Sequence, residues 1–345
     1  MIRICTTEDY DQICYFIHNY WKNNHILSNN KELLDFQHFD KNNSKYNFIA
    51  SFNEENKINA LLGFIPVSQY DNQLNFGDYW LAIWKVNIQS SDDYGIGLSL
   101  FEFFVTQFKP RSIGAIGINN EVKKIYTLLK FKTGVLNHFI FFNNKKKEFS
   151  IISVNNFTSC IVAEKYIDVS YALLSNLHDS PIELDKSSHP TKSITYYENR
   201  YFNHPIYKYN AFGFYLNKEL RFIFITRKIC LLGTSCLRIV DIIGDQSNSF
   251  DISECLNDIL LKEDSEYIDC LNFGINEQYF FRLGFSLKDA TDIIPNYFEP
   301  FEKRNSDIQF AIKTDKSDYI IFKGDSDQDR PNQITNSLSN GSHAQ

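Results

Sequence analysis

Two glycines one residue apart, in Gly95-Ile96-Gly97, stand directly before an apolar stretch with helical spacing that starts near Leu98. The first N–H groups of a helix have no partner inside it, so a helix start offers donors to a phosphate. Glycine suits such a turn because a Cβ would hold the phosphate away. The preceding Asp92-Asp93 pair opposes an anion, at a Coulomb cost of about 1 kcal/mol for each exposed carboxylate, or else caps the helix. A Gly-x-Gly before a helix also occurs in tight turns that bind nothing. A second set of polar residues lies among aromatic ones: His204, Arg238, Asp241 and Glu266. A sugar is recognised by hydrogen-bonding groups beside aromatic faces, and a nucleotide diphosphate by Arg. Arg238 and Asp241 interrupt an apolar strand, where a charge is costly unless paired or functional. An ion pair of Arg238 with Asp241 or Glu266 therefore competes with ligand binding.

The elements that would position these groups occur twice. The first copy runs WKVNIQ (84–89), the glycine turn, a helix (98–108), SIGAIGINNE (112–121) and a helix ending LLKF (128–131). The second runs LRIVDIIGD (237–245), a helix (251–262), EYIDCLNFGINE (266–277) and a short helix ending RLGF (282–285). Val86 and Asn119 are 33 positions apart and Val240 and Asn276 are 36, so element lengths are nearly kept. That is the signature of a duplicated domain. The second copy lacks the Gly-x-Gly turn: QSNSFDIS follows its strand, and Gly244 is poorly placed for a phosphate.

Upstream, residues 8–26 read as a helix with Ile13, Phe16, Ile17 and Trp21 on one face and Thr6 or Thr7 as cap. NFIASFN (47–53) and ALLGFIPV (60–67) form a hairpin around a polar turn, and YWLAIWKVNIQ (79–89) reads as a central strand. Val122, Ile125, Tyr126 and Leu129 fall on one helical stripe. Strands at 211–217, 220–229 and 234–243 form a meander. The chain thus divides into 1–150, a polar connecting segment 151–190, a second domain 191–331 and a disordered tail 332–345.

The 345 residues are 43% hydrophobic and include 31 Phe and 20 Tyr, enough for two ordinary cores. A net charge of −7 gives no basic footprint, which argues against nucleic acid as partner. MIRICTTEDYDQ is not a secretory signal, and no apolar run is long enough to span a bilayer. The seven cysteines contain no CxxC pair and read as free thiols of a cytoplasmic protein, with no metal site.

The order of elements resembles the GNAT acyltransferase fold, well over about 35–142 and more weakly over about 196–323. Gly95-Ile96-Gly97 matches the end of that family's Arg/Gln-x-x-Gly-x-Gly/Ala turn, and Tyr126 falls on the Tyr of its Leu-Tyr-x-x-Leu-Gly-Phe helix. Lys130 replaces the Gly of that motif, and Asp92-Asp93 replaces the usual Arg-Gly pair. More narrowly, the chain looks like tandem GNAT-like proteins of surface-polysaccharide gene clusters, with HPIYKY (204–209), IIPNYFEPF (293–301) and FKGDSDQDRPN (322–332) as further similar segments. The resemblance implies an α/β (α+β mixed-sheet) fold of two tandem domains, each a mixed, largely antiparallel sheet flanked by helices. It implies acetyl-CoA or another acyl-CoA as co-substrate and N-acylation of a nucleotide-linked amino sugar. In that frame Gly95, Ile96, Gly97, Leu98 and Asn119 hold the cofactor, and a backbone N–H near Val86 or Asn87 is the oxyanion donor. Tyr126 is the acid for the departing thiolate, and Asp78 is favoured as base over Lys85, Glu102 and His138. The second copy would then supply the acceptor side through His204, Arg238, Asp241 and Glu266, and residues 1–150 alone would bind acyl-CoA. A tRNA-dependent aminoacyl ligase of related fold and a non-catalytic binding protein are the alternatives.

Overall fold

The computed structural model describes residues 1–88, 94–154, 168–185, 187–245, 247 and 249–333. Asp92-Asp93 and the tail from residue 334 lie outside them. The first half contains β1 (Ile2–Thr6), α1 (Tyr10–Phe16), α2 (Ile26–Asn29), α3 (Lys31–His38), β2 (Phe39–Asp40), β3 (Lys45–Phe52), β4 (Ile58–Pro66) and β5 (Asp78–Val86). It continues with α4 (Ile96–Phe108), β6 (Ser112–Ile116), α5 (Asn120–Leu128), β7 (Lys132–Val135) and β8 (Asn137–Phe142). The second half contains β9 (Val169–Leu174), α6 (Ile194–Tyr197), β10 (Tyr209–Leu216), β11 (Glu219–Leu231), β12 (Thr234–Gly244), α7 (Ser253–Lys262) and β13 (Ser265–Phe273). It ends with α8 (Glu277–Arg282), β14 (Ser286–Leu287), β15 (Tyr297–Phe298), β16 (Phe301–Glu302), β17 (Gln309–Thr314) and β18 (Ile321–Phe322).

Apart from β15 and β16, which pair with each other, these strands build two mixed eight-stranded sheets of similar plan. The first is ordered β1-β3-β4-β5-β6-β17-β7, with β2 beside β3, and the second β14-β8-β13-β12-β11-β10-β9, with β18 beside β13. Each has one parallel pair, β5–β6 and β12–β13, among antiparallel neighbours. Chain order and sheet membership part company twice. β8, before residue 150, pairs with β13 of the second sheet, while β17, from the end of the chain, inserts between β6 and β7 of the first. The halves exchange a strand, so the boundary read at residue 150 does not separate two self-sufficient sheets.

Burial follows the pleat. On one face of the first sheet, Phe64, Tyr79, Leu81 and Ala115 pack under α4 and α5. On its other face, Phe48, Ala50 and Leu61 lie under α1 to α3, while Trp80, Ile116 and Phe310 meet the second sheet's Ile223, Val240 and Leu271 in one shared core. The second sheet's outer face is covered by α7 and α8. α1 does not run on as one regular helix to residue 26. It opens into a π turn over Ile17–Trp21, where Lys22 N donates to the Ile17 carbonyl at 3.0 Å. The extra residue in that turn rotates the face, and Trp21 emerges 41% exposed instead of in the apolar stripe. Asp9 accepts from Thr6 N and Arg3 and fixes the start of this segment.

Residues 322–332 form a largely buried strap between the halves. Asn332 accepts from Ile26 N at 2.9 Å, Asp329 accepts from Tyr209 at 2.6 Å and pairs with Arg227 at 3.2 Å, and Arg330 pairs with Asp327 at 2.9 Å. Three histidines around it are buried and held neutral. Burial lowers His25 to about 2, His38 to about 4 and His204 to about 3. No helix among the described residues is long and apolar enough to cross a membrane.

Two outcomes follow from this architecture. Residues 1–150 lack β17, which leaves β6 and β7 without the strand between them, so the fragment should show no cooperative thermal transition. A cooperative melt of the fragment with native-like near-UV dichroism contradicts the exchange. The histidines set a pH dependence: the unfolded chain protonates them near pH 6.5 and the folded chain does not. Their contribution is complete above about pH 6.5 and is lost as pH falls toward their lowered folded values. The melting temperature should fall between about pH 7 and 5, and His38→Gln should flatten that slope. An unchanged slope in the variant removes His38 from the account.

Candidate functional site

The parallel pair β5–β6 is in register from Asp78↔Ser112 to Leu81↔Ala115 and then separates. β5 runs on to Val86, whereas the chain after β6 turns toward β17: Gly117, at φ +75°, and Ile118 both donate to the Gln309 carbonyl. On the other side, the register of β4 against β5 shifts between Leu62 and Phe64, which bends β5 at the same level. Asn87 N donates to Asn59 on the β4 side at 2.8 Å. Strand alternation therefore turns the Val86 N–H toward the splay and removes Asn87 as the oxyanion donor. Among the described residues, no backbone bond from β6 meets the β5 edge beyond Leu81.

α4 starts above the end of β5. Its cap is Gly95, at φ +89°, which supplies no capping side chain and has open space where a Cβ would stand. The N–H groups of Ile96, Gly97 and Leu98 form the first turn, and Ser99 N bonds back to Gly95. Gly97 has a different reason from the one read in the sequence. A Cβ there would lie 3.2 Å from Val86 and 3.4 Å from Trp84, and Trp84 Nε1 donates to its carbonyl at 3.1 Å. Close packing of helix on strand favours a glycine here. Asn119 is likewise spent locally, capping α5 by accepting from Glu121 N and Val122 N.

Tyr126 is brought to the splay. Its ring lies 5.5 Å from Trp84 and 4.8 Å from Phe131, it is 2% exposed, and burial alone raises its pKa and keeps the hydroxyl protonated. Asp78 is not there. It sits at the other end of β5, about 26 Å from Val86 at strand spacing. Arg111 and Ser112 occupy its oxygens, with Arg111 Nε at 3.0 Å and Ser112 Oγ at 2.7 Å. Asp78 is a structural ion pair, which corrects its reading as base.

The second sheet repeats the splay and fills it. β12 and β13 are in register to Ile239↔Cys270. β18 then lies in the gap, paired with β13 at Asn272↔Phe322, while Gly324 N donates to Val240 of β12 at 3.1 Å. Gly324 is required, because a Cβ would come within 2.4 Å of the Val240 carbonyl and the Tyr201 hydroxyl. Lys192 pairs with Asp241 at 2.7 Å and Asp325 at 2.8 Å, and Tyr201 donates to Asp241. Burial pushes the Asp241 carboxyl up to about 6 despite Lys192.

The four residues expected to meet an acceptor are consumed inside this half. Arg238, 0% exposed, holds Asp269 through Nε at 2.9 Å and Nη2 at 2.5 Å, and donates to the Pro295 and Asn296 carbonyls. Its partner is Asp269, whose Oδ2 also meets His138 Nε2 at 2.8 Å, and not Asp241 or Glu266. Glu266 accepts from Ser150 N and Ile151 N, and His204 Nδ1 from Ile206 N and Tyr207 N. Sequence reading gave no chemistry to Lys323, in the FKGDSDQDRPN segment. It is buried, donates to the Asn296 carbonyl at 2.6 Å, and is held well below the usual lysine range by burial and by Arg238. It lines a small cavity with Arg227, Glu299 and Gln328. Gln328 also packs against Gly117, so this cavity adjoins the end of β6.

No family model matches the chain, and no curated protein matches it in sequence. Its fold does match solved structures. It is similar to a GCN5-related N-acetyltransferase from Anabaena variabilis, with TM-score 0.54 and 10% identity over 91% of this chain and 72% of that one. It is also similar to a conserved protein of unknown function, "Probable N-Acyltransferase", from Enterococcus faecalis, with TM-score 0.53 and 8% identity over 90% and 71%. The two helix-flanked mixed sheets are therefore arranged as in these two structures.

Proposed function

We propose that the chain transfers an acyl group from acetyl-CoA or another acyl-CoA to an amine, using the first half as the acyl-CoA platform. The observation that carries this reading is the contrast between the two splays. The second is filled by β18 and Gly324, whereas the first leaves the β5 edge beyond Leu81 without a backbone partner among the described residues, below a helix start that has no capping side chain. The residues present fit the group: Ile96, Gly97 and Leu98 offer N–H donors to a pyrophosphate, and the β5 edge offers backbone partners to amides. When bound, acyl-CoA supplies the activated acyl group and a thiolate leaving group. The Val86 N–H would face the thioester carbonyl oxygen, and Tyr126, kept protonated, would donate to the departing sulfur. On the acceptor side, Lys323 lines the adjoining cavity and is held toward the uncharged form, as a proton acceptor must be.

The acceptor we propose is a nucleotide-linked amino sugar of surface-polysaccharide synthesis, acylated in the cytoplasm where acyl-CoA is found. The resemblance of the strap and neighbouring segments to tandem polysaccharide-cluster proteins supports this. Calorimetry with acetyl-CoA, followed by a thiol-release assay across a panel of nucleotide-linked amino sugars, tests donor and acceptor separately. Thiol release with none of the panel, despite acetyl-CoA binding, rejects the acceptor and keeps the donor.

Gly97→Glu should weaken acetyl-CoA binding by more than about tenfold, since its side chain pushes the start of α4 off Val86 and Trp84 and brings a negative charge to it. Unchanged affinity in the folded variant removes the site from α4. Tyr126→Phe keeps the ring that packs on Trp84 and loses only the hydroxyl. Its turnover should drop by roughly 10²–10⁴-fold with the melting temperature kept. Wild-type turnover would make Tyr126 a packing residue.

A further inference from the structure

A cavity of about 700 Å³ opens between α3, the β2–β3 turn, the segment after β4 and the π turn Glu198–Phe202. It lies away from the acyl-CoA platform. Tyr79, in its wall, begins β5, whereas Val86 ends that strand about 23 Å further on. Its volume is that of a small-molecule site.

The wall chemistry is unusual for its amides. Asn42, Asn47, Gln69 and Asn72 come from the first half and Asn199 and Asn203 from the second, so both halves contribute. They are held in fixed orientations. Asn47 donates to Gln69 at 3.0 Å, and Gln69 donates to the Phe36 and Phe39 carbonyls at 3.1 Å. Asn199 donates to the Tyr70 carbonyl at 2.8 Å, Asn203 donates to Asn199 at 3.0 Å, and Asn42 donates to Asn72 at 3.3 Å. Two groups are left over: Asn203 Oδ1 and Asn72 Nδ2 have no hydrogen-bond partner among the described residues. Aromatic surface from Phe36, Phe39, Tyr79 and Phe108 lies between the amides.

The charges in the wall select the ligand class. Asp35 is occupied by Tyr46 and Lys31, and Asp40 by Asn42 N, Asn43 N and the Asn43 amide, which leaves little for a cation. Lys41, an exposed side chain, is the one Lys or Arg in the wall, too little for a phosphate or nucleotide. Paired amide donors and acceptors beside apolar ring faces match vicinal hydroxyls on a ring with C–H faces. We propose that this cavity binds a neutral saccharide, bridged between the two halves of the chain. The site is independent of acyl transfer and does not require the donor reading to hold.

Saturation-transfer NMR on the full chain tests it, with cellobiose, di-N-acetylchitobiose and maltose as probes and inorganic phosphate and acetyl-CoA as competitors. At least one disaccharide should receive saturation, and neither competitor should displace it. Asn72→Ala and Asn203→Ala, both at exposed side chains, should each weaken that binding about fivefold, the loss of one hydrogen bond. Absence of transfer to all three disaccharides overturns the proposal. Displacement by phosphate or acetyl-CoA, or wild-type affinity in both variants, overturns it equally.

Discussion

Every buried backbone N–H and carbonyl needs a partner, and a parallel pair of strands that separates part-way leaves an edge on each strand without one. This chain makes that separation twice, after Leu81↔Ala115 and after Ile239↔Cys270, and meets the demand in two ways. In the second sheet the chain satisfies itself, with β18 on β13 and Gly324 on Val240. In the first it turns β6 away toward β17, and no backbone group among the described residues meets the β5 edge beyond Leu81. The structural asymmetry of two similarly built halves follows from that difference.

The same demand explains why the halves are inseparable. The strand next to one edge of each sheet comes from the other half, and the strap that closes the second splay also reaches α2 and Gly117 of the first. Polar residues at this junction pair among themselves. Arg238–Asp269–His138 and Lys192–Asp241–Asp325 are buried networks, in which removing one member leaves an uncompensated charge. Charged residues that look like ligand contacts in a sequence are here part of the cost of threading a polar strap through a core.

Much of the fold was legible because periodicity reports local structure. The hairpin β3–β4, the meander β10–β12 and the repeated strand–helix–strand–helix order all appear near their expected positions. Tyr126 was legible as a residue of its helix stripe, although the stripe is narrower than its pattern, since Ile125 is 39% exposed. The strand exchange was not legible, because QFAIKT would read the same in either sheet. Asp78 was misread for a related reason: its place on β5 was right, but a sequence does not reveal that Arg111 and Ser112 wait at that end of the strand. The strap gave a signal, as a charged run with Gly324 in it, but its meaning depends on the splay it fills.

Amide hydrogen exchange with and without saturating acetyl-CoA tests the central asymmetry most directly, because it reads backbone edges in the intact chain. The account predicts new protection confined to Ala82–Val86 and Ile96–Leu98, with β12 beyond Ile239 and Gly324 unchanged. New protection along β12, or none at either edge, would contradict it.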